Sequence, residues 1–152
     1  MSRVILVLIL ITGCAHTGAE LAEREQQWIA EGRVGSQECA VSPLGPTVEP
    51  PRVLNSPEVQ RALVRNYPHG IISSGEQFRT MICFQLGADG AVEDYFVHRS
   101  TGRTEVDLAA MHVASVFRFS AAYVEGEPSS FMVSLPVEFS AAWSGSDGSS
   151  AS

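Results

Sequence analysis

The chain has 152 residues and no lysine: all ten of its basic residues are arginine, against seventeen acids, for a net charge of −7. An acidic surface without a basic stripe cannot neutralise a run of phosphates, which argues against nucleic acid as a partner. Absence of lysine more often reflects a GC-rich genome than a mechanism. Cysteine is scarce, with Cys14, Cys39 and Cys83 spaced too widely for the short pairs that hold zinc, so no metal site is expected. Nucleophile signatures are missing too, since no Gly-x-Ser-x-Gly elbow occurs. His98 and His112 are too far apart to share one helix face, and each reads as a solvated or hydrogen-bonded surface group. Glu93 and Asp94 are neighbours in a strand-like run and so point to opposite faces. Glycines 70, 75, 87, 90 and 102 are scattered at turns and build no phosphate-cradling loop. The expectation is therefore no enzyme, no cofactor and no small-molecule substrate. Long hydrophobic runs are absent as well. The run Val4 to Ile11 has eight residues, whereas a bilayer span needs about 20.

That short run, with Arg3 before it and Thr12-Gly13-Cys14 after it, reads as a signal peptide over residues 1–13. The junction Ile11-Thr12-Gly13-Cys14 resembles the bacterial lipobox, in which the cysteine is acylated before cleavage. The resemblance implies lipid attachment at Cys14, and Ala15 in place of an aspartate resembles outer-membrane sorting. Loss of Arg3 would move the net charge from −7 to −8.

Residues 14–55 read as a flexible tether. Leu21 and Trp28 share a rough face in a short helical stretch from Glu20 to Ala30, but isolated helices of that length are marginal in water. From Gly32 to Asn55 the glycines and prolines are too dense for a packed element. Fully extended, the roughly 40 residues would reach on the order of 100 Å at about 3.3 Å each. Residues 141–152 are serine, glycine and alanine around Trp143 and read as a disordered tail.

The folded unit is expected over residues 56–140, room for one small domain. Ser56-Pro57-Glu58 opens a helix, with Ser56 as cap, Pro57 in the first turn and Glu58 toward the dipole. Val59, Ala62 and Leu63 give it an apolar stripe, and Tyr67-Pro68 ends it. Phe78, Ile82, Phe84 and Leu86 share one parity, the period of a strand with one buried face. Asp89-Gly90 turns the chain back into a second strand from Val92 to Arg99. Thr104 with Asp107 opens a second helix to about Phe117, with Val106, Ala110, Val113 and Phe117 on one face. Glu125-Gly126-Glu127-Pro128 is a turn, and Phe131, Val133, Leu135, Val137 and Phe139 alternate as the last strand. The expected architecture is α+β: a small two-layer domain, a three-stranded antiparallel sheet packed against two helices.

The order of these pieces resembles the C-terminal domain of TonB, the energy transducer of Gram-negative envelopes. The resemblance covers about Tyr67 to Phe139 and is carried by Tyr67-Pro68, Asp89-Gly90-x-Val92, Arg99-Ser100-Thr101-Gly102, Val106-Asp107-x-Ala109-Ala110, Phe117-Arg118-Phe119, Gly126-x-Pro128 and Val133-x-Leu135-Pro136-Val137-x-Phe139. Two positions depart from the family pattern: Phe117 stands where tryptophan is usual, and Ser120-Ala121-Ala122 where a proline soon follows. Family transducers also have an inner-membrane helix, where this chain has a lipobox.

The resemblance implies a protein-binding domain, anchored to the membrane by lipid, whose partner is another envelope protein such as a segment of an outer-membrane receptor. Pro136 suits an edge strand because it has no amide to give to an inner ladder. The partner-binding candidates are accordingly Phe131, Val133, Leu135, Val137 and Phe139, at an edge that an extended peptide could complete. The alternative is a structural lipoprotein subunit fixed in a secretion, motility or transport assembly. With Cys14 taken by lipid, Cys39 and Cys83 remain as an even pair, either a disulfide or two separate thiols.

Overall fold

The computed structural model describes residues 18–72 and 75–140. In chain order its elements are α1 (Gly18–Ala30), β1 (Val48–Glu49), α2 (Ser56–Arg65), β2 (Gln77–Leu86), β3 (Val92–Arg99), α3 (Thr104–Ala114), β4 (Ala122–Val124), β5 (Glu127–Ser129) and β6 (Phe131–Ser140). The expected signal peptide, Cys14 and the expected C-terminal tail lie outside the described residues.

The α+β expectation holds, with β2 at the centre of an antiparallel sheet ordered β3-β2-β6. Alternation decides its faces. Thr80, Ile82, Phe84 and Leu86 of β2 are buried on the helix side, together with Val97 of β3 and Phe131, Val137 and Phe139 of β6. Burying each of the larger apolar side chains contributes about 1.5–3 kcal/mol. Phe84 is the hub, with ring centroids of Phe119, Phe117 and Tyr95 at 5.1, 5.2 and 6.2 Å. Over this face lies α3, where Ala109 and Ala110 are small enough to bring the helix close. It ends at Ala114 rather than Phe117, because the amides of Val116 and Phe117 reach carbonyls three residues back and tighten the chain into a turn.

Both helix caps differ from expectation. Asn55 precedes α2, and its side chain bonds Glu58 Oε2 (2.6 Å), the Val116 carbonyl (2.7 Å) and the Arg118 amide (2.9 Å), tying α2 to the chain after α3. Arg103 stands at the cap of α3, and Asp107 turns away from the helix end.

The largest difference concerns the expected tether. Residues 18–55 are packed onto the domain. Trp28 of α1 is buried, edge-on to Tyr95 at 6.2 Å and to His112 at 4.9 Å, and Glu25 meets His112 at 2.7 Å. A helix that is marginal alone is thus stabilised by docking on β3 and α3. Beyond it the chain crosses the face of the sheet opposite the helices, and Cys39 is joined to Cys83 by a disulfide. It then supplies β1 to a second sheet ordered β1-β4-β5. Here Glu125 and Gly126 both take positive φ (54° and 84°), the backbone of a tight two-residue hairpin turn. Proline and glycine keep residues 32–55 from any regular element longer than the two-residue β1, but they leave an extended segment free to bond sideways.

Candidate docking edge

The central sheet has two edges, and the chain treats them differently. The β3 edge is covered by residues 33–37: Val97 N–H donates to the Arg33 carbonyl (2.9 Å), Gln37 N–H donates to the Val97 carbonyl (3.2 Å), and Ser36 Oγ accepts from Ser100 N–H (3.1 Å). The β6 edge is left open. Among the described residues no strand pairs with its outer side.

Which backbone groups face outward follows from register. Ten consecutive residue pairs join β2 and β6 without a bulge, from Gln77↔Ser140 to Leu86↔Phe131. In an antiparallel edge strand the N–H and C=O of one residue point to the same side, and the side alternates. Met132 points outward, since its carbonyl accepts from Ser42 N–H (2.9 Å) and its amide donates to Ser42 Oγ (2.9 Å). Ser134, Pro136, Glu138 and Ser140 share that parity. Ser134 and Glu138 therefore offer both an N–H and a C=O, and Pro136 a C=O alone. Pro136 costs no ladder bond because its missing amide faces away from β2.

The side chains follow the same alternation. Phe131, Val137 and Phe139 are buried against the helices, while Val133 and Leu135 are half-buried and keep apolar surface at the rim. Opposite them, Glu138 pairs with Arg79 at 2.5 Å, both well exposed, an ion pair worth about 0–1 kcal/mol. Beyond this pair a shallow cavity of about 250 Å³ is lined by Gln77, Phe78, Arg79, Glu138, Phe139 and Ser140. Ser134 is the cross-strand partner of Cys83, and its Oγ is buried without a hydrogen-bond partner among the described residues.

What holds this sheet against α3 is a buried carboxylate. Asp107 accepts from Thr80 Oγ1 (2.9 Å), Thr101 N–H (3.1 Å), Thr101 Oγ1 (3.1 Å) and Ser100 Oγ. It thereby ties the central strand, the Ser100-Thr101-Gly102 turn and the helix together. Elsewhere, hydrogen bonds from Asn55 and then Arg118 hold the Glu58 carboxyl below its ordinary pKa, which keeps the start of α2 anionic. No group of three or more acids, histidines and cysteines among the described residues could hold a metal. Likewise, no described helix is long and apolar enough to cross a membrane.

The five sequence-predicted docking residues all lie on the edge strand, but their amides face β2 and three of their side chains serve the core. The residues whose backbone faces outward are Ser134, Pro136 and Glu138, beside Ser42, and of these the sequence singles out Pro136 alone. Pro136 carried the signal: a proline tolerated in a strand marks the parity whose backbone faces away from the ladder. For Asp107 the sequence pattern suggests only a helix-start residue.

The family model for the Gram-negative bacterial TonB protein C-terminal matches residues 64–141, from the end of α2 through β6. Protein TonB from Xanthomonas campestris pv. campestris, in strains B100 and ATCC 33913, is 30% identical over 73 residues, which is 48% of this chain and 33% of each relative. The match thus spans about a third of the length of those curated relatives. No solved structure matches.

Proposed function

Because the chain belongs to the Gram-negative bacterial TonB protein C-terminal family, we propose that it docks an extended segment of another envelope protein along the free edge of β6. Domains of this family act by protein interaction and not by catalysis. The observation that carries the reading is the row of outward backbone groups at Ser134, Pro136 and Glu138 that have no backbone partner among the described residues, on a sheet whose other edge the chain has covered. Backbone bonds supply affinity in such strand addition, and the half-buried Val133 and Leu135 supply an apolar rim for alternate partner side chains. A segment of an outer-membrane receptor fits this chemistry. The domain then serves TonB-type transport by capture.

In this reading residues 1–13 are a signal peptide and Cys14 carries lipid, which holds the domain at the periplasmic face, at the outer rather than the inner membrane. Several acyl chains anchor firmly where one is marginal. Since α1 begins at Gly18, the domain sits within about 14 Å of its anchor, not at the end of a long tether. A lipid anchor reaches one leaflet only and gives no route to a motor in the other membrane. Crosslinking from intact envelopes tests the docking. The wild-type chain captures a partner that variants with proline at Ser134 or Glu138 lose, and capture undiminished in both folded variants would refute it.

The second reading, a fixed subunit of an envelope assembly, is favoured by one observation. Leu54 and Val64 beside Pro57 are 65% and 58% exposed on the outer side of α2. A permanently packed subunit would self-associate through that surface, and a concentration-dependent mass measurement on the purified protein separates the two.

A further inference from the structure

The strap from Ser36 to Ser42 crosses all three strands of the central sheet on the face opposite the helices. It bonds β3 through Ser36 and Gln37, is joined to β2 by the Cys39–Cys83 disulfide, and ends at the β6 edge with the two Ser42–Met132 bonds. It lies outside residues 64–141, which the family model matches. At Ser42 it does what a docked partner strand would do, completing an outward residue of β6. Among the described residues, Met132 is the one outward position so occupied.

We propose that this strap is an intramolecular occupant of the docking edge, held there by the disulfide and released by a dithiol reductant. The proposal rests on the edge-docking reading and adds its control. With the bridge intact, a partner strand has Ser134 to Ser140 to pair with and meets a stop at Ser42. After release the free edge begins at Met132, one outward residue earlier, and can take a longer segment. The chemistry is thiol–disulfide exchange. A thiolate of the dithiol attacks the sulfur of Cys39, the half-exposed residue of the pair, since Cys83 is buried. The Cys39–Cys83 bond breaks, Cys83 leaves as a thiolate and takes up a proton, and a mixed disulfide forms at Cys39. The reductant's second thiol resolves it. Two electrons have then passed to the bridge, which becomes two thiols, and the reductant has become a disulfide.

Backbone amide exchange on the full chain tests this without any partner, so its failure leaves the docking reading standing. In the oxidised protein the Ser42 and Met132 amides exchange slowly, while those of Ser134 and Glu138 exchange fast. Treatment with dithiothreitol exposes two thiols and accelerates Ser42 and Met132 by about tenfold or more beyond whatever acceleration the loss of the bridge brings to Ile82 and Phe84 of the central strand. The Cys39→Ser variant reproduces the reduced pattern. Three results overturn the proposal: no thiols released from the folded chain, Ser42 and Met132 still slow after the bridge is open, or Ile82 and Phe84 accelerating in step with them.

Discussion

Removing the Asp107 carboxylate should be among the most damaging changes to the domain, and the structure sets its size. Asp107 is 1% exposed and Thr80, one of its donors, is fully buried. Asp107→Ala deletes four hydrogen bonds to a charged acceptor and leaves the Thr80 hydroxyl buried with nothing to bond. Hydrogen bonds to charged groups contribute about 1.5–3 kcal/mol each, and an orphaned buried donor costs about 1–3 kcal/mol. These terms overlap, and relaxation of the half-buried Ser100-Thr101 turn toward water recovers part of them, so we expect a loss of about 3–5 kcal/mol. That is a large share of the roughly 5–15 kcal/mol by which domains are stable. Asp107→Asn should cost less, about 1–2 kcal/mol, because its carbonyl can keep the Thr80 and Thr101 donors while the Ser100 hydroxyl rotates to accept from the new amide. Urea unfolding followed by circular dichroism measures both, with an unchanged m-value as the check that the same surface unfolds. Thr80→Val in the Asp107→Ala background is the sharper test. It removes the orphaned hydroxyl and should cost far less there than in the wild type. Strict additivity of the two substitutions, or an Asp107→Ala loss under about 0.5 kcal/mol, would refute the network as described.

Gly90→Ala should destabilise by about 2 kcal/mol or more, read as a fall in melting temperature. Gly90 has φ 84°, and a Cβ there would lie 2.5 Å from the Ser120 backbone carbonyl carbon. Unreduced, denatured protein should show no free thiol at Cys39 or Cys83. Cys39→Ser should cost up to about 4 kcal/mol by the chain-entropy argument for a sequence separation of 44. Burial raises the Tyr95 pKa above its ordinary 10.0, so the neutral phenol is favoured in the fold. Stability from Tyr95 is then fully present below pH 10.0 and is lost as pH climbs through the raised value, and the phenolate absorbance that Tyr95→Phe removes should develop above pH 10.0. Cys14→Ala should leave unprocessed or soluble protein, whereas an unchanged membrane fraction with an unmodified Cys14 peptide by mass spectrometry would contradict lipidation.

The sheet was legible because alternation is local. Phe78 to Leu86 and Phe131 to Phe139 declare their buried faces within ten residues, and Asp89-Gly90 declares the turn between the first two strands. Residues 18–55 were not legible, because what holds them is a few isolated anchors: Trp28 under α3, Cys39 on Cys83, Ser42 on Met132 and Val48 on Val124. Each partner lies more than 40 residues away, and no periodicity connects the anchors to one another. Asp107 misled for a related reason. Thr104 with an acid three residues on is a local capping pattern, but its real donors come from a preceding turn and from a strand 27 residues upstream. At the candidate site, strand and edge position were readable from the alternation and Pro136. The outward parity is harder to read, because the apolar residues that mark the strand point their side chains into the core and their amides toward β2.

The most direct test of the docking edge compares prolines of opposite parity on β6. Ser134→Pro and Glu138→Pro remove amides that point away from β2, so both variants should fold, with melting temperatures near the wild type, and should lose the partner crosslinked in intact envelopes. Val133→Pro and Val137→Pro break the ladder to β2 and should unfold or melt much earlier. Charge reversal at Asp89, in the turn between β2 and β3, leaves capture intact at a modest cost in stability, since it gives up one hydrogen bond to the Ala91 amide. Loss of capture in both folded outward-parity variants, beside retention in the Asp89 control, is the result the account predicts. Undiminished capture by folded Ser134→Pro and Glu138→Pro proteins would place docking away from this edge and contradict it.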